Sequence, residues 1–261
     1  MSRPATFSYT SIGRPVDPSY PTNKAVLVLM PIGGAIAAVV SLSSGAPWGA
    51  SIVGAVHGLL VVFGSWALTR EVAPDDDPAA FVGMAAAYSA FLIVGAPSLL
   101  LLFMALGLVR IVNRSVGLQA NGLDSVCVMG LTTWAMFSLD APLVGLIGGV
   151  AFGSDACLRD PRRSQLLFAV LCVAGTALDV SLYGVEFSFL GSLSEVETWL
   201  TTAATVGAVL MVLQAGVITS VGDATGIQLS SERVRGGALI TLLLGVQVFC
   251  DPSIGFQQSS A

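Results

Sequence analysis

Apolar residues along this chain come in long unbroken runs rather than in the alternation of a half-buried strand. Residues 25–42 carry no charge, nor do residues 49–68, and residues 79–109 continue for 31 positions without one. A bilayer core needs about 20 predominantly apolar residues per helix. Backbone groups in lipid are satisfied only inside helices or closed barrels. The runs are continuous and rich in Leu, Ala and Gly, which selects helices over a barrel. They predict an all-α polytopic transmembrane bundle with helices at about 25–42, 49–69, 123–138, 142–158, 165–189, 198–220 and 236–250.

Residues 79–112 hold the one ambiguity of count. A single tilted helix there gives eight spans, and a hairpin of two short helices gives nine. Gly95-Ala96-Pro97 supplies a break, because proline interrupts the helical ladder and glycine eases a turn. The positive charges favour the hairpin. Every Lys and Arg falls in the N-terminal tail, at Arg70, at Arg110 and Arg114, between Arg159 and Arg163, or at Arg233 and Arg235. With nine helices all of these loops share one side, which the positive-inside rule assigns to the cytoplasm together with the N-terminus. The expected location is therefore the cell membrane.

Composition agrees: 54% of residues are hydrophobic and 10% charged, against about 25% charged in soluble domains. The net charge of −5 argues against nucleic-acid binding, which needs a basic face. Residues 1–23, with Pro4, Pro15, Pro18 and Pro21, read as a polar extended tail without a cleavable signal. Residues 24–250 form one transmembrane domain and 251–261 a C-terminal tail. Cys127, Cys157, Cys172 and Cys250 form no CxxC pair and read as buried reduced thiols. One histidine in the chain makes a zinc site improbable.

The domain carries an internal echo. Phe63-Gly64-Ser65-Trp66-Ala67-Leu68-Thr69-Arg70-Glu71 overlays Phe152-Gly153-Ser154-Asp155-Ala156-Cys157-Leu158-Arg159-Asp160, with Glu71 facing Asp160. Gly117-Leu118-Gln119 matches Gly226-Ile227-Gln228. These predict two similar halves, at about 24–122 and 123–250. Gly145-x-x-Gly148-Gly149-x-x-x-Gly153 predicts a close helix–helix approach.

Several segments resemble the UbiA-type membrane prenyltransferase superfamily. Asp77-Pro78-Ala79-Ala80-Phe81 through Val109-Arg110-Ile111-Val112-Asn113-Arg114 resembles its short third and fourth helices. Ser115-Val116-Gly117-Leu118-Gln119, leading to Gly122 and Gly130, resembles its basic loop and the start of helix five. Gln214 to Asp223 and Arg233-Val234-Arg235-Gly236-Gly237 are similar to its last two helices. The resemblance implies transfer of an isoprenoid chain from a prenyl diphosphate to a lipophilic acceptor among membrane lipids. It implies Mg²⁺ between two acidic loops, with Asp155 and Asp160 catalytic and Glu71, Asp75, Asp76, Asp77, Asp155 and Asp160 as ligands. Arg70, Arg114, Arg159, Arg162 and Arg163 would hold the diphosphate. The first loop departs from the family pattern, with Ser65, Trp66, Thr69 and Glu71 where its aspartates stand.

Other readings rest on polar residues inside the spans. Asp179 lies mid-helix, Glu186 lies nearer that helix's outer end, and His57 could partner Asp179 in a transport pathway. Asp75–Asp77 otherwise read as a solvated turn capping a helix, and Asp155 with Asp160 as a helix-end charge pair. Gln214 and Gln247 read as bridges between helices, and Trp48, Trp66, Trp134 and Trp199 as interfacial anchors. A catalytically silent membrane subunit of the same fold is the third alternative.

Overall fold

The computed structural model describes residues 9–184, 194–214 and 216–250. Among them the chain forms nine α-helices: α1 (Pro21–Ser43), α2 (Trp48–Val72), α3 (Asp77–Val94), α4 (Leu99–Asn113), α5 (Gly122–Ser138), α6 (Pro142–Cys157), α7 (Gln165–Tyr183), α8 (Glu195–Gln214) and α9 (Ser231–Cys250). The hairpin reading of residues 79–112 holds. Helix α3 ends on Gly95, whose φ of +121° stops the ladder, and Ser98 caps α4 by accepting from the Leu101 amide.

Sequence rules explain most starts. Pro21, Pro78 and Pro142 occupy first turns, where no amide is needed. Asn121 and Asp124 form a reciprocal capping box on α5. Three boundaries differ from expectation. Helix α7 ends at Tyr183, on Gly184, rather than near 189, α8 stops at Gln214 rather than near 220, and α9 begins at Ser231 rather than 236. Between α8 and α9, residues 216–230 fold into a loop closed by an antiparallel Val221–Gln228 bridge.

Helix α4 is the hub of the bundle. Its Met104, Leu108, Ile111 and Val112 join Val128, Val144, Phe152 and Ile240 in one core, while Leu106 joins Val26, Val62, Ala80 and Met84 in a second. Helices α1, α2, α3 and α7 are long and apolar enough to cross a membrane. They expose Val39, Val56, Val82, Ile93, Leu167 and Leu182. A surface of this kind suits hydrocarbon, and the protein is an α-helical membrane protein. Trp48, Trp134 and Trp199 are exposed as anchors would be, but Trp66 is buried. Cys172 is buried, whereas Cys127 and Cys157 are exposed, contrary to the expectation of buried thiols.

The glycine stripe of α6 brings α5 and α7 close. A Cβ at Gly145 would overlap Thr176 and Met136, and one at Gly148 would overlap Thr132. Helices α2 and α6 pack on the helices that follow them, α3 and α7, and both pack on α4 and α9. Gly117 and Gly226, the matched glycines, adopt φ of +87° and +63°. Their loops touch, with the Ala224 amide donating to the Val116 carbonyl at 2.9 Å.

Candidate functional site

One end of the bundle collects every Lys and Arg among the described residues, and its charges are held by a few contacts. At their centre is Asp155, near the end of α6 and fully buried. Its Oδ1 accepts from Arg114 Nε at 2.8 Å and from Arg233 Nη1 at 2.7 Å. Arg233 also donates to the carbonyls of Val112 and Arg159, so one guanidinium joins α4, α6 and α9. Arg114 caps α4 in the left-handed region (φ +52°). A side chain there costs about 1–2 kcal/mol, and the ion pairs of Arg114 to Asp155 and Asp160 offset that.

Asp160 is 73% exposed. Its Oδ2 accepts from Arg114 Nη1 at 2.8 Å and Gln119 Nε2 at 3.0 Å. The Gln119 amide, reinforced by the nearby Arg114 and Arg233 charges, holds its carboxyl below the usual range despite slight burial. Arg159 and Arg163 stand exposed, and Arg162 donates to Ser164 Oγ at 3.0 Å.

The three consecutive aspartates each do a different structural job. Asp75 accepts from the amides of Thr219 and Ser220, each at 2.7 Å, and from the Ser220 hydroxyl, fastening the 216–230 loop. Burial raises its carboxyl pKa, but these donors outweigh that and leave it lowered. Asp76 caps α3 by accepting from the Ala79 amide at 3.0 Å, and Asp77 pairs with Arg70. The capping carboxylate is thus Asp76 rather than Asp77.

Glu71 is the buried carboxylate of the first loop. Its Oε1 accepts from Arg110 Nε at 2.9 Å and lies 3.8 Å from Arg14 Nη1. Its own carbonyl accepts from Asn113 Nδ2 at 2.6 Å.

Residues 9–20 of the N-terminal tail form a strap rather than a free extension. Thr10 Oγ1 and the Ser11 amide donate to the Asp124 carboxylate at 2.6 and 2.7 Å. Asn121 Nδ2 donates to the Tyr9 carbonyl, and Val16 packs on the α1–α3 core. Arg14 forms a two-point pair with Asp223 of the 216–230 loop. Strap, loop and the ends of α2 and α4 enclose a cavity of about 570 Å³. Phe63, Trp66 and Ala67 supply an apolar wall, while Arg14, Arg70 and Arg110 supply three guanidiniums. The carboxylates of Asp17, Glu71 and Asp223 also face it, as does Ser115.

The structure therefore brings together Arg70 and Glu71 among the expected residues, and adds Arg14, Arg110, Trp66 and Ser115. Asp155, Asp160, Arg114, Arg159, Arg162 and Arg163 do not line the cavity. Among the described residues no group of three or more His, Cys, Asp or Glu stands where it could hold a metal ion. The donors implied for Mg²⁺ do not fit one, because each is engaged by arginine, by amides or by a helix end.

The intramembrane residues do not meet either. His57 Nδ1 bonds the Val53 carbonyl of its own helix at 3.0 Å. Asp179 is buried in α7, which does not pack on α2. The Gln214 side chain, Glu186 and residues 251–261 lie outside the described residues. Comparison with protein-family models, with curated proteins and with solved structures finds no match to this chain.

Proposed function

We propose that this chain is a multi-pass protein of the cell membrane that binds an anionic amphiphile at its basic end, with that end cytoplasmic as the charge rule requires. One observation supports the reading: three guanidiniums and an aromatic wall face the same cavity. Guanidinium is the side chain best matched to phosphate, to which it donates two parallel hydrogen bonds. Arg14 is the most exposed of the three and its partner Asp223 is exposed, so a phosphate can take the place of Asp223 without unpairing a buried charge. The apolar wall of Phe63 and Trp66 receives the first carbons of the tail.

A prenyl diphosphate, the donor that the resemblance to UbiA-type enzymes implies, belongs to this ligand class. The reading proposed is binding without Mg²⁺-dependent transfer, because Asp155 and Asp160 serve Arg114 and Arg233. The test is binding of geranylgeranyl diphosphate to the detergent-purified protein, with Mg²⁺ and with a chelator. Binding indifferent to the metal, weakened about tenfold or more in Arg14→Ala and kept in Asp160→Ala, is expected from loss of one charge-assisted contact. Binding that needs millimolar Mg²⁺ and is lost in Asp160→Ala would overturn the reading in favour of metal-dependent transfer.

A further inference from the structure

The arginines that the cavity leaves out gather where α6 turns into α7. Arg159 and Arg163 are exposed and Arg162 is half-buried. Among the described residues no carboxylate pairs with any of these three side chains, and Arg162 donates to the neutral Ser164 hydroxyl. Asp160, the carboxylate of the turn, is engaged by Arg114 and Gln119. The turn therefore presents positive charge that nothing in the protein neutralises.

Its backbone is held from beneath. Arg233, itself buried, donates to the carbonyls of Arg159 and Asp160, and the Arg162 amide donates to the Asp155 carbonyl at 3.2 Å. Membrane topology asks only that arginines lie somewhere in this loop. It does not ask for a fixed turn, whereas binding does, because a backbone already ordered lowers the entropy lost on association. The membrane side of the turn is equally defined. The Arg163 carbonyl accepts from the Leu166 amide at 3.1 Å, so the turn runs directly into α7, a helix long and apolar enough to cross a membrane. Helical steps of three and four from Arg163 reach Leu166, Leu167, Val170 and Leu171, and all four are exposed. A basic cluster thus heads an apolar strip, in the order in which a phospholipid carries its phosphate and its tail.

We infer that the α6–α7 turn is a docking surface for anionic phospholipid, separate from the cavity and independent of what the cavity binds. The phosphodiester lies against Arg159, Arg162 and Arg163, and an acyl chain runs down α7 past Leu167 and Val170. Guanidinium matches phosphate oxygens in geometry as well as charge. Each basic side chain at a membrane surface contributes about fivefold in affinity for anionic lipid, the equivalent of about 1 kcal/mol.

The experiment uses Cys157, exposed at the end of α6 two residues before Arg159. With Cys127, Cys172 and Cys250 replaced by alanine and a fluorophore on Cys157, the full chain is placed in phosphatidylcholine vesicles. Quenching is compared between nitroxide-tailed phosphatidylglycerol and nitroxide-tailed phosphatidylcholine. The preference for phosphatidylglycerol is expected to exceed about tenfold and to fall about fivefold in Arg159→Gln or Arg163→Gln. It is expected to be nearly abolished in the double variant and kept in Arg14→Ala. Both substitutions are at exposed side chains, and thermal melting confirms that the fold is retained. Equal quenching by the two lipids, or a preference that the double variant keeps, would overturn the inference. A preference lost in Arg14→Ala but kept in the double variant would place the anionic lipid in the cavity, sinking this surface and supporting the proposed function. Abolition by millimolar inorganic phosphate at constant ionic strength would refute the lipid in favour of a soluble anion.

Discussion

At the scale of single residues, Asp155 and Asp160 show how one sequence pattern covers two physical situations. Both are carboxylates beside an arginine cluster, which is why both read as ligands for Mg²⁺. Burial separates them, and it comes from Arg233, which lies 78 positions further on and is invisible to local spacing. Asp155→Ala leaves two guanidiniums without their shared partner and is expected to cost about 3–5 kcal/mol, seen as a large fall in the thermal midpoint in detergent. Asp160→Ala, at an exposed pair, is expected to cost less than about 1 kcal/mol. Asp75 gives the pH dependence. Its carboxyl is held below the ordinary 3.8, so its contribution is complete above that value and is lost as pH falls through the lowered one. Hydrogen exchange across residues 216–230 should therefore stay slow at neutral pH and rise only in acid, below about pH 4. Asp75→Asn should raise it at pH 7.

Among the elements, the helices were legible and the connections were not. Apolar runs and the Gly95-Ala96-Pro97 break locate the nine helices of the described residues, with ends up to about six residues off at α7, α8 and α9, because lipid burial and backbone satisfaction act locally on the chain. The strap was hidden for the opposite reason. Residues 9–20 are polar and proline-bearing, a composition that stays extended unless something distant binds it. The binder is Asp124, which alone would read as the end of a capping box. Asp124→Ala removes the reciprocal half of the capping box and the strap's anchor together. Limited proteolysis within residues 9–20 is expected to accelerate, with a stability loss of about 1–2 kcal/mol from the cap. The loop pair is equally specific. Gly117→Ala would place a Cβ at φ +87° and against Thr225, and is expected to cost more than about 1 kcal/mol in the same melting assay.

For the whole molecule, the sequence showed the membrane and the sidedness of charge, because both follow from composition and order. It did not show the cavity, which is made by four segments far apart in the chain. Cysteine labelling tests the arrangement. With Cys127, Cys157, Cys172 and Cys250 replaced by alanine, a cysteine at Leu118 should react only with reagent supplied to the cytoplasmic face. Reaction from outside would overturn the proposed orientation. The contacts at the basic end also impose a timetable on synthesis. Arg14 leaves the ribosome 209 residues before the Asp223 it clasps, and Asp155 and Arg114 wait for Arg233 on the last helix. Until Asp223 emerges the strap is held by Asp124 alone, and until α9 is inserted the charge cluster is incomplete. A chain arrested before Asp223 should thus be cut within the strap more readily than the finished chain, in which Arg14 is clasped.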